Sequence, residues 1–158
     1  MKKIRLKFLL LVYTFAQKYY RKIFKRKTKQ WNFTEAQLLE FEKDSLGKKL
    51  GEFYKENGFR MIPQMEHHDV HHLITNYGTK MQDEIALQFL LLGNGKRSAY
   101  LFGAVFLGTI VFPEYYQTYF RAYKKGKSMI EFYHWDFEKI LHQNFENLKL
   151  FIYKESIF

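Results

Sequence analysis

The 158-residue chain contains no cysteine. This absence excludes disulfide bonds, thiolate metal ligands and cysteine nucleophiles, and it leaves the redox compartment open. The chain also lacks an uninterrupted apolar run of the ~20 residues that a membrane-spanning helix requires, since the apolar runs 8–16 and 98–112 are both shorter. No two-residue hairpin turn separates alternating apolar segments, so the sequence does not predict β-strands.

Hydrophobic residues make up 47% of the chain and aromatic residues 20%. A chain of this length and composition can bury the core of one domain without covalent cross-links. The formal net charge of +10 favours an anionic partner, which would be a membrane surface, a nucleic acid or an acidic ligand. Charge alone does not choose among these three.

Basic residues are concentrated in residues 1–30, on both sides of the apolar run 8–16. They are Lys2, Lys3, Arg5, Lys7, Lys18, Arg21, Lys22, Lys25, Arg26, Lys27 and Lys29. Apolar residues continue beyond the run at helical spacing, which predicts a basic amphipathic helix lying in a membrane interface. Two alternatives are a terminal helix docked on the domain and a signal peptide, for which Thr14-Phe15-Ala16 is a poor cleavage site.

Residues 31–158 carry helix start and stop signals throughout. We predict one all-α domain of about seven helices, preceded by the basic amphipathic N-terminal helix. Capping boxes are predicted at residues 34–37, opening a helix to about Lys43, and at residues 79–82, opening a helix to Leu92. The other helices are predicted over 45–58, with Ser45 as cap and Gly58 as stop, over about 66–76, over 98–112, from Pro113 to a stop at Gly126, and over most of 133–153.

The segment HHDVHH, residues 67–72, has four of the six histidines of the chain. On a helix, His68 and His72 lie one turn apart on one face, with Asp69 at its edge. Two imidazoles and a carboxylate at this spacing suit a divalent metal. A tight turn at Tyr77-Gly78 would let Glu84, on the next helix, complete the site. The alternative is a solvated histidine-rich surface. The additional His67 and His71 are interpreted as alternate ligands, as hydrogen-bonding partners of the ligands or, most simply, as surface bystanders.

Two metal-dependent families do not fit this segment. A metalloprotease helix requires glutamate after the first histidine, where this chain has Asp69. A phosphohydrolase of the His-Asp type requires a histidine well upstream, and none precedes His67.

The pattern H-D-x-x-H, eleven residues, then E resembles the signature of the coenzyme Q biosynthesis protein four family. Here it comprises His68, Asp69, His72 and Glu84. The segments SLGK at 45–48, GNGKRSAYLFGAVFLG at 93–108 and FYHWDFEKIL at 132–141 also resemble that family, with Phe137 where the family has tryptophan. The resemblance covers about residues 34–150.

The resemblance implies an all-α fold that binds one divalent metal through His68, Asp69, His72 and Glu84. Zinc, iron, manganese or cobalt are all compatible with such mixed nitrogen and oxygen ligands. It also implies a role in ubiquinone biosynthesis, with two functions left open. One is metal-dependent, lyase-type oxidative decarboxylation at C1 of a polyprenylated hydroxybenzoate-type ring, oxidised by either the metal or dioxygen. The other is a membrane-associated scaffold that binds prenyl lipid, in which the metal is structural.

The expected partners are a polyprenylated quinone precursor or another isoprenoid lipid, an anionic membrane surface, other quinone-biosynthesis proteins and a second copy of the chain. We expect a cytoplasmic protein, peripheral on the inner membrane face, and a prokaryotic family member because no transit peptide is recognised. The run 98–112, with small residues four apart, is either a lipid groove or a central buried helix. Nucleic acid is not expected, because no recognition helix or stacking motif accompanies the basic residues.

Overall fold

A computed structural model of the protein describes residues 30–154. Within this range the chain forms α-helices and two 3₁₀-helices but no strand, which confirms the prediction of one all-α domain of about seven helices. The α-helices are α1 (Glu35–Leu38), α2 (Leu46–Asn57), α3 (Glu66–Thr75), α4 (Met81–Gly93), α5 (Ala99–Val111), α6 (Tyr116–Ser128) and α7 (Phe145–Tyr153). The 3₁₀-helices are Pro113–Tyr115 and Phe137–Ile140. The predicted basic N-terminal helix lies almost wholly outside the described residues.

Helix α1 begins where the sequence predicts, but it is short. Gln37 donates its backbone N–H to Oγ1 of Thr34 at 3.3 Å, and its side chain accepts from the Thr34 N–H at 2.8 Å, so the predicted capping box is confirmed. The predicted end near Lys43 is wrong, since the helix stops at Leu38. The chain leaves the helix there and packs Phe41 onto Gly47, where a Cβ atom would lie only 2.7 Å from the ring.

Helices α2 and α3 end as predicted, in residues with left-handed backbone conformation. Ser45 caps α2 by accepting from a backbone N–H, and Gly58 follows its last turn with φ 63°. Asn76 follows α3 with φ 57°. The predicted second capping box is wrong, because α4 begins one residue later, with Lys80 at the capping position and no side-chain cap. Its first helical residue, Met81, packs against the core.

The prediction of a nearly continuous helix over 133–153 is wrong. The chain forms a 3₁₀ turn and then α7, with a break between them. In this break, the carbonyl groups of Leu141 and Gln143 accept from the backbone N–H groups of Gly47 and Leu46, each at 2.8 Å. These N–H groups belong to the first turn of α2, which has no partners for them within the helix. The break before α7 therefore supplies hydrogen-bond acceptors for the first backbone N–H groups of α2.

Helix α4 is central and packs most extensively against α6. The two helices approach closely because each has a glycine at the crossing. A Cβ atom at Gly93 would overlap the carbonyl oxygen of Tyr123, and one at Gly126 would overlap that of Leu90. The prediction that Gly126 ends its helix is therefore wrong: α6 continues to Ser128, and this glycine serves close packing instead.

Asn94, at the end of α4, is buried and binds four backbone groups. Its amide nitrogen donates to the carbonyls of Gly126 and Ile130 at 3.2 and 2.8 Å. Its carbonyl oxygen accepts from the N–H groups of Phe132 and Tyr133 at 2.9 and 3.2 Å. This side chain joins α4 to the segment that follows α6, and it satisfies backbone groups whose burial would otherwise destabilise the fold.

Helix α5 lies at the surface of the described domain rather than at its centre. Leu101, Gly108 and Val111 are buried on one side. Its exposed large apolar side chains are Phe102, Phe106 and Ile110. They recur every four residues and so form one stripe, in which Phe106 is 65% exposed. The alternative of a central buried helix is therefore wrong.

No single helix in residues 30–154 is long and apolar enough to cross a bilayer. Ala99–Val111 and Pro113–Ser128 reach the required length and composition only as a pair, and they are bent by 104° relative to one another.

Candidate metal centre

His68 and His72 face each other across one turn of α3. Their ring centroids are 4.6 Å apart, and their Nε2 atoms approach to 3.0 Å. Helix geometry alone accounts for the pairing, since residues four apart share a face. Two imidazole nitrogens at this distance repel each other when both present lone pairs, so the pair favours a proton or a metal cation between them.

The turn after α3 brings Glu84 to this histidine pair. Asn76 reverses the chain, and α4 then places the glutamate in its first turn. One carboxylate oxygen lies 3.1 Å from Nε2 of His68, and the other lies 3.1 Å from Nε2 of His72. Three predicted site residues from two helices therefore meet at one point.

The same turn fixes the orientation of the His72 ring. Nδ1 of His72 lies 3.0 Å from the backbone carbonyl oxygen of Tyr77. A carbonyl oxygen only accepts, so Nδ1 carries the hydrogen, and in the neutral ring Nε2 presents its lone pair to the cluster. Metal-binding histidines are commonly held in this way by a hydrogen bond from the other ring nitrogen.

Charge and burial shift the pKa values of the cluster in opposite directions. Burial raises the pKa of Glu84, but the hydrogen bonds and charges of His68 and His72 outweigh it and lower the value to about 2. Burial likewise lowers the pKa of His72, and the hydrogen bond and charge of Glu84 outweigh it, so that the value is raised. Glu84 is therefore ionised throughout the physiological range, and it attracts a cation.

The donor set and its geometry fit a divalent metal ion. One ligand atom from each of His68, His72 and Glu84 lies within 4.8 Å of the others. Ligands at about 2.0–2.1 Å from a tetrahedral ion are about 3.3 Å apart, close to the distances between these atoms. Two nitrogens and a carboxylate oxygen suit zinc, iron, manganese or cobalt. The side chains of His68 and Glu84 are 23% and 26% exposed while His72 is 2% exposed, so the centre opens to solvent on one side.

Asp69 lies beside the cluster but does not belong to the set of converging atoms. Its Oδ2 atom accepts a hydrogen bond from the hydroxyl group of Tyr54 at 2.8 Å. Burial raises the pKa of Asp69, while the hydrogen bond from Tyr54 and the charges of His68 and His72 act to lower it. The structure thus places the fourth predicted ligand next to the centre, held by a residue of α2.

His67 and His71 lie on a different face of α3. His67 packs edge-on against Trp31 at 5.4 Å, and His71 packs against Phe132 and Phe137, both at 5.6 Å between ring centroids. His71 is only 2% exposed. The interpretation as a surface bystander is therefore wrong for His71, which belongs to the aromatic core, whereas His67 is partly buried beside Trp31. Burial lowers the pKa of both rings and keeps them neutral.

Two residues of the centre have no signal in its sequence motif. Tyr54 lies fifteen positions before Asp69 and on another helix. Tyr77 contributes only its backbone carbonyl, which no side-chain pattern can indicate. The one available signal is indirect: Tyr54 follows Ser45-Leu46-Gly47-Lys48 on the helix that precedes the motif.

A family model described as Coenzyme Q (ubiquinone) biosynthesis protein Coq4 matches residues 57–153. A crystal structure of a candidate ubiquinone biosynthesis protein from Nostoc punctiforme PCC 73102 is similar to this structure, with a TM-score of 0.66. That similarity covers 90% of this chain and 81% of the other, at 15% sequence identity, and it therefore concerns the fold. No curated protein sequence gives a significant match.

The family match covers more than half of the chain and includes His68, Asp69, His72 and Glu84. It supports a role in ubiquinone biosynthesis. The chain belongs to the coenzyme Q (ubiquinone) biosynthesis protein Coq4 family.

Proposed function

We propose that the protein binds one divalent metal ion through His68, His72 and Glu84, with Asp69 beside it, and uses this centre to bind a carboxylated, polyprenylated precursor of ubiquinone. The observation that carries the proposal is a three-donor cluster that is open on one side. Structural metal sites are usually closed by four protein ligands, whereas sites that bind substrate keep a position open. Three donors with partial exposure fit the second type.

The substrate we propose is a polyprenylated hydroxybenzoate-type acid that undergoes oxidative decarboxylation at C1. In net terms, ring–COOH and water give ring–OH, carbon dioxide, two protons and two electrons, and a two-electron oxidant such as dioxygen accepts the electrons. A divalent metal would supply positive charge that binds the carboxylate and polarises the ring. The protein contributes preorganisation: the Tyr77 carbonyl orients His72, and both histidines hold Glu84.

The exposed apolar stripe of α5 supports the lipid part of the proposal. Phe102, Phe106 and Ile110 are exposed on α5, and the stacked rings of Tyr116 and Phe120, both about half-exposed, lie on the next helix, α6. A soluble monomer rarely exposes large apolar side chains in a contiguous patch unless something binds there. We propose that this surface faces prenyl lipid or the apolar layer of a membrane.

Basic residues accompany this apolar surface. Arg121, Lys124 and Lys127 on α6 are exposed, and the Lys124 ammonium lies 4.6 Å from the centre of the Phe120 ring. An apolar stripe next to positive charge suits an anionic membrane surface. We further propose a cytoplasmic location at the inner membrane face, a homodimer and association with other quinone-biosynthesis proteins.

The second candidate function is a membrane-associated scaffold that binds prenyl lipid and contains a structural metal. The apolar surface of α5 and α6 favours it, because a scaffold needs this surface and no reaction. The two candidates differ in what they require of the metal centre.

The test of the metal centre uses His72→Ala and Glu84→Gln. Both variants should carry much less than the one divalent ion per chain expected for the unaltered protein, since each removes a donor from a set of three. Elemental analysis of the purified proteins measures this, and His134→Ala, an exposed histidine outside the cluster, is the matched control. Equal metal content in the His72→Ala protein and the unaltered protein would contradict the assignment.

Quinone content separates the catalyst from the scaffold. In a strain that depends on this protein, a catalytic centre predicts that ubiquinone falls with Glu84→Gln while protein level and circular dichroism stay unchanged. The replacement is isosteric, so it retains the shape that a scaffold needs. Normal ubiquinone content with both variants would exclude catalysis at this centre and leave the scaffold function.

A further inference from the structure

Tyr54 links α2 to the metal centre on α3. Its ring is 2% exposed, and its hydroxyl group donates to Oδ2 of Asp69 at 2.8 Å. A buried phenol needs a hydrogen-bond partner, because burial without one costs free energy. The position of the ring is fixed by core packing on α2, whereas an aspartate carboxylate rotates easily about its terminal bond. The tyrosine is therefore the more rigid partner.

The hydrogen bond from Tyr54 is important because its acceptor, Asp69, lies at the metal centre. Asp69 follows His68 directly and lies beside, but not among, the atoms that converge in the cluster. The hydrogen bond from Tyr54 occupies one lone pair of Oδ2, so Oδ1 is the oxygen that this contact leaves uncommitted for any further ligand. A hydrogen bond to an ionised carboxylate is roughly twice as strong as one between neutral groups, so the restraint is substantial.

We propose that Tyr54 is a positioning residue of the metal centre, which holds one oxygen of Asp69 and thereby fixes how this carboxylate takes part beside His68 and His72. The inference rests on the proposed metal-binding function. Tyr54 itself contacts neither metal nor substrate. Its hydroxyl group lies behind Asp69, the fourth predicted ligand, and the geometry at the metal depends on it.

Cobalt(II) is the probe, because its visible absorption reports coordination number and geometry. Tyr54→Phe should change the absorption spectrum of the cobalt-loaded protein and lower the cobalt affinity about tenfold, as expected from loss of one hydrogen bond to a charged group. The matched control is Tyr119→Phe. Tyr119 is also fully buried, and its hydroxyl group has no hydrogen-bond partner among residues 30–154. This control should leave spectrum and affinity unchanged.

A double-substitution cycle tests whether Tyr54 acts through Asp69. Asp69→Asn should alter the cobalt spectrum, and Tyr54→Phe should cause no further change in that background, because the group it positions has already been replaced. An equal effect of Tyr54→Phe in both backgrounds would overturn the inference. So would an unaltered spectrum and affinity with Tyr54→Phe alone.

The outcomes also separate this inference from the proposed function. Unaltered protein that binds no cobalt would contradict the metal centre itself, and the inference with it. Normal cobalt binding with no effect of Tyr54→Phe would leave the metal centre standing and remove only the role of Tyr54. If Tyr54→Phe does not fold by circular dichroism, Asp69→Asn alone decides, since a spectrum unaffected by it means that Asp69 takes no part and Tyr54 has nothing to position.

Discussion

The four histidines of α3 separate into two pairs with different chemistry. His68 and His72 meet a carboxylate, and the pKa of His72 is raised by Glu84 in spite of its burial. His67 and His71 meet aromatic rings, and burial lowers their pKa values. One position along a helix rotates a side chain by about 100°, which is enough to move it from a polar cluster into a core.

The raised pKa of His72 predicts that metal affinity depends on pH. Proton and metal compete for Nε2, so affinity should fall as the pH drops through the pKa of this group. Because that pKa lies above the ordinary value of 6.5, the fall should begin at a higher pH than a free histidine would give. Titration with zinc or cobalt between about pH 5 and 8 measures the effect.

Glu84→Gln supplies the control for this pH dependence. The amide removes the charge that raises the His72 pKa, so the weaker binding that remains should fall off at lower pH than in the unaltered protein. Affinity that stays constant over the whole range would contradict the assignment of His72 as a ligand.

The sequence predicts that His68, His72 and Glu84 converge, because they lie close to one another along the chain. His68 and His72 are one turn apart, and Glu84 follows after a short turn, so helix geometry and a single reversal bring the three together. The sequence cannot predict that His71 is buried, because its neighbours Phe132 and Phe137 are more than sixty positions away. The role of Tyr54 is likewise a product of tertiary packing.

At the scale of the helices, Gly126 of α6 has a different role from the one that glycine usually has in a helix. Glycine commonly ends a helix, and the sequence therefore predicts a helix end at Gly126. In the structure this residue and Gly93 bring α4 and α6 into close contact. Whether Gly126 ends a helix or permits close packing depends on the partner helix α4, which is more than thirty residues away in the sequence. The sequence of α6 alone therefore does not predict which role this glycine has.

The α4–α6 crossing predicts opposite effects of two glycine substitutions. Gly126→Ala should lower the free energy of unfolding by about 1–3 kcal/mol, because the added methyl group would overlap the Leu90 carbonyl. Gly103→Ala, on α5, should raise it by about 0.5–1 kcal/mol, because nothing lies within 4 Å of the added carbon and alanine favours a helix. Urea denaturation curves measure both. Equal stabilisation by the two substitutions would exclude tight packing at this crossing.

For the whole molecule, two parts of the chain are candidates for membrane binding, and they differ in physical character. The basic segment 1–29 would bind through charge, and salt would screen that attraction. The stripe of Phe102, Phe106 and Ile110 would bind through apolar burial, which salt does not weaken. Binding to vesicles should therefore have two components that salt separates.

Removal of residues 1–29 should abolish most of the salt-sensitive component. The shortened chain should begin at residue 30, because Trp31 is 3% exposed and belongs to the core. Circular dichroism is expected to show that it remains folded. Sedimentation with anionic vesicles, at low and high salt, should then show weaker binding at low salt and little change at high salt. Binding that is unaffected by the truncation would mean that the basic segment does not contact the membrane.

Phe106→Gln in the full-length chain should have the complementary effect. Phe106 has the most exposed large apolar side chain of α5, so its replacement should not disturb the core. It should weaken the vesicle binding that persists at high salt and leave unchanged the additional binding at low salt that residues 1–29 provide. The control is Thr109→Gln, which changes a half-buried polar residue of the same helix. Phe112→Gln is not a suitable control, because the Phe112 ring is buried, at 4% exposure. If Thr109→Gln weakens vesicle binding as much as Phe106→Gln does, the binding depends on the helix in general and not on its apolar stripe. Loss with Phe106→Gln alone would identify the stripe as the surface that enters the lipid.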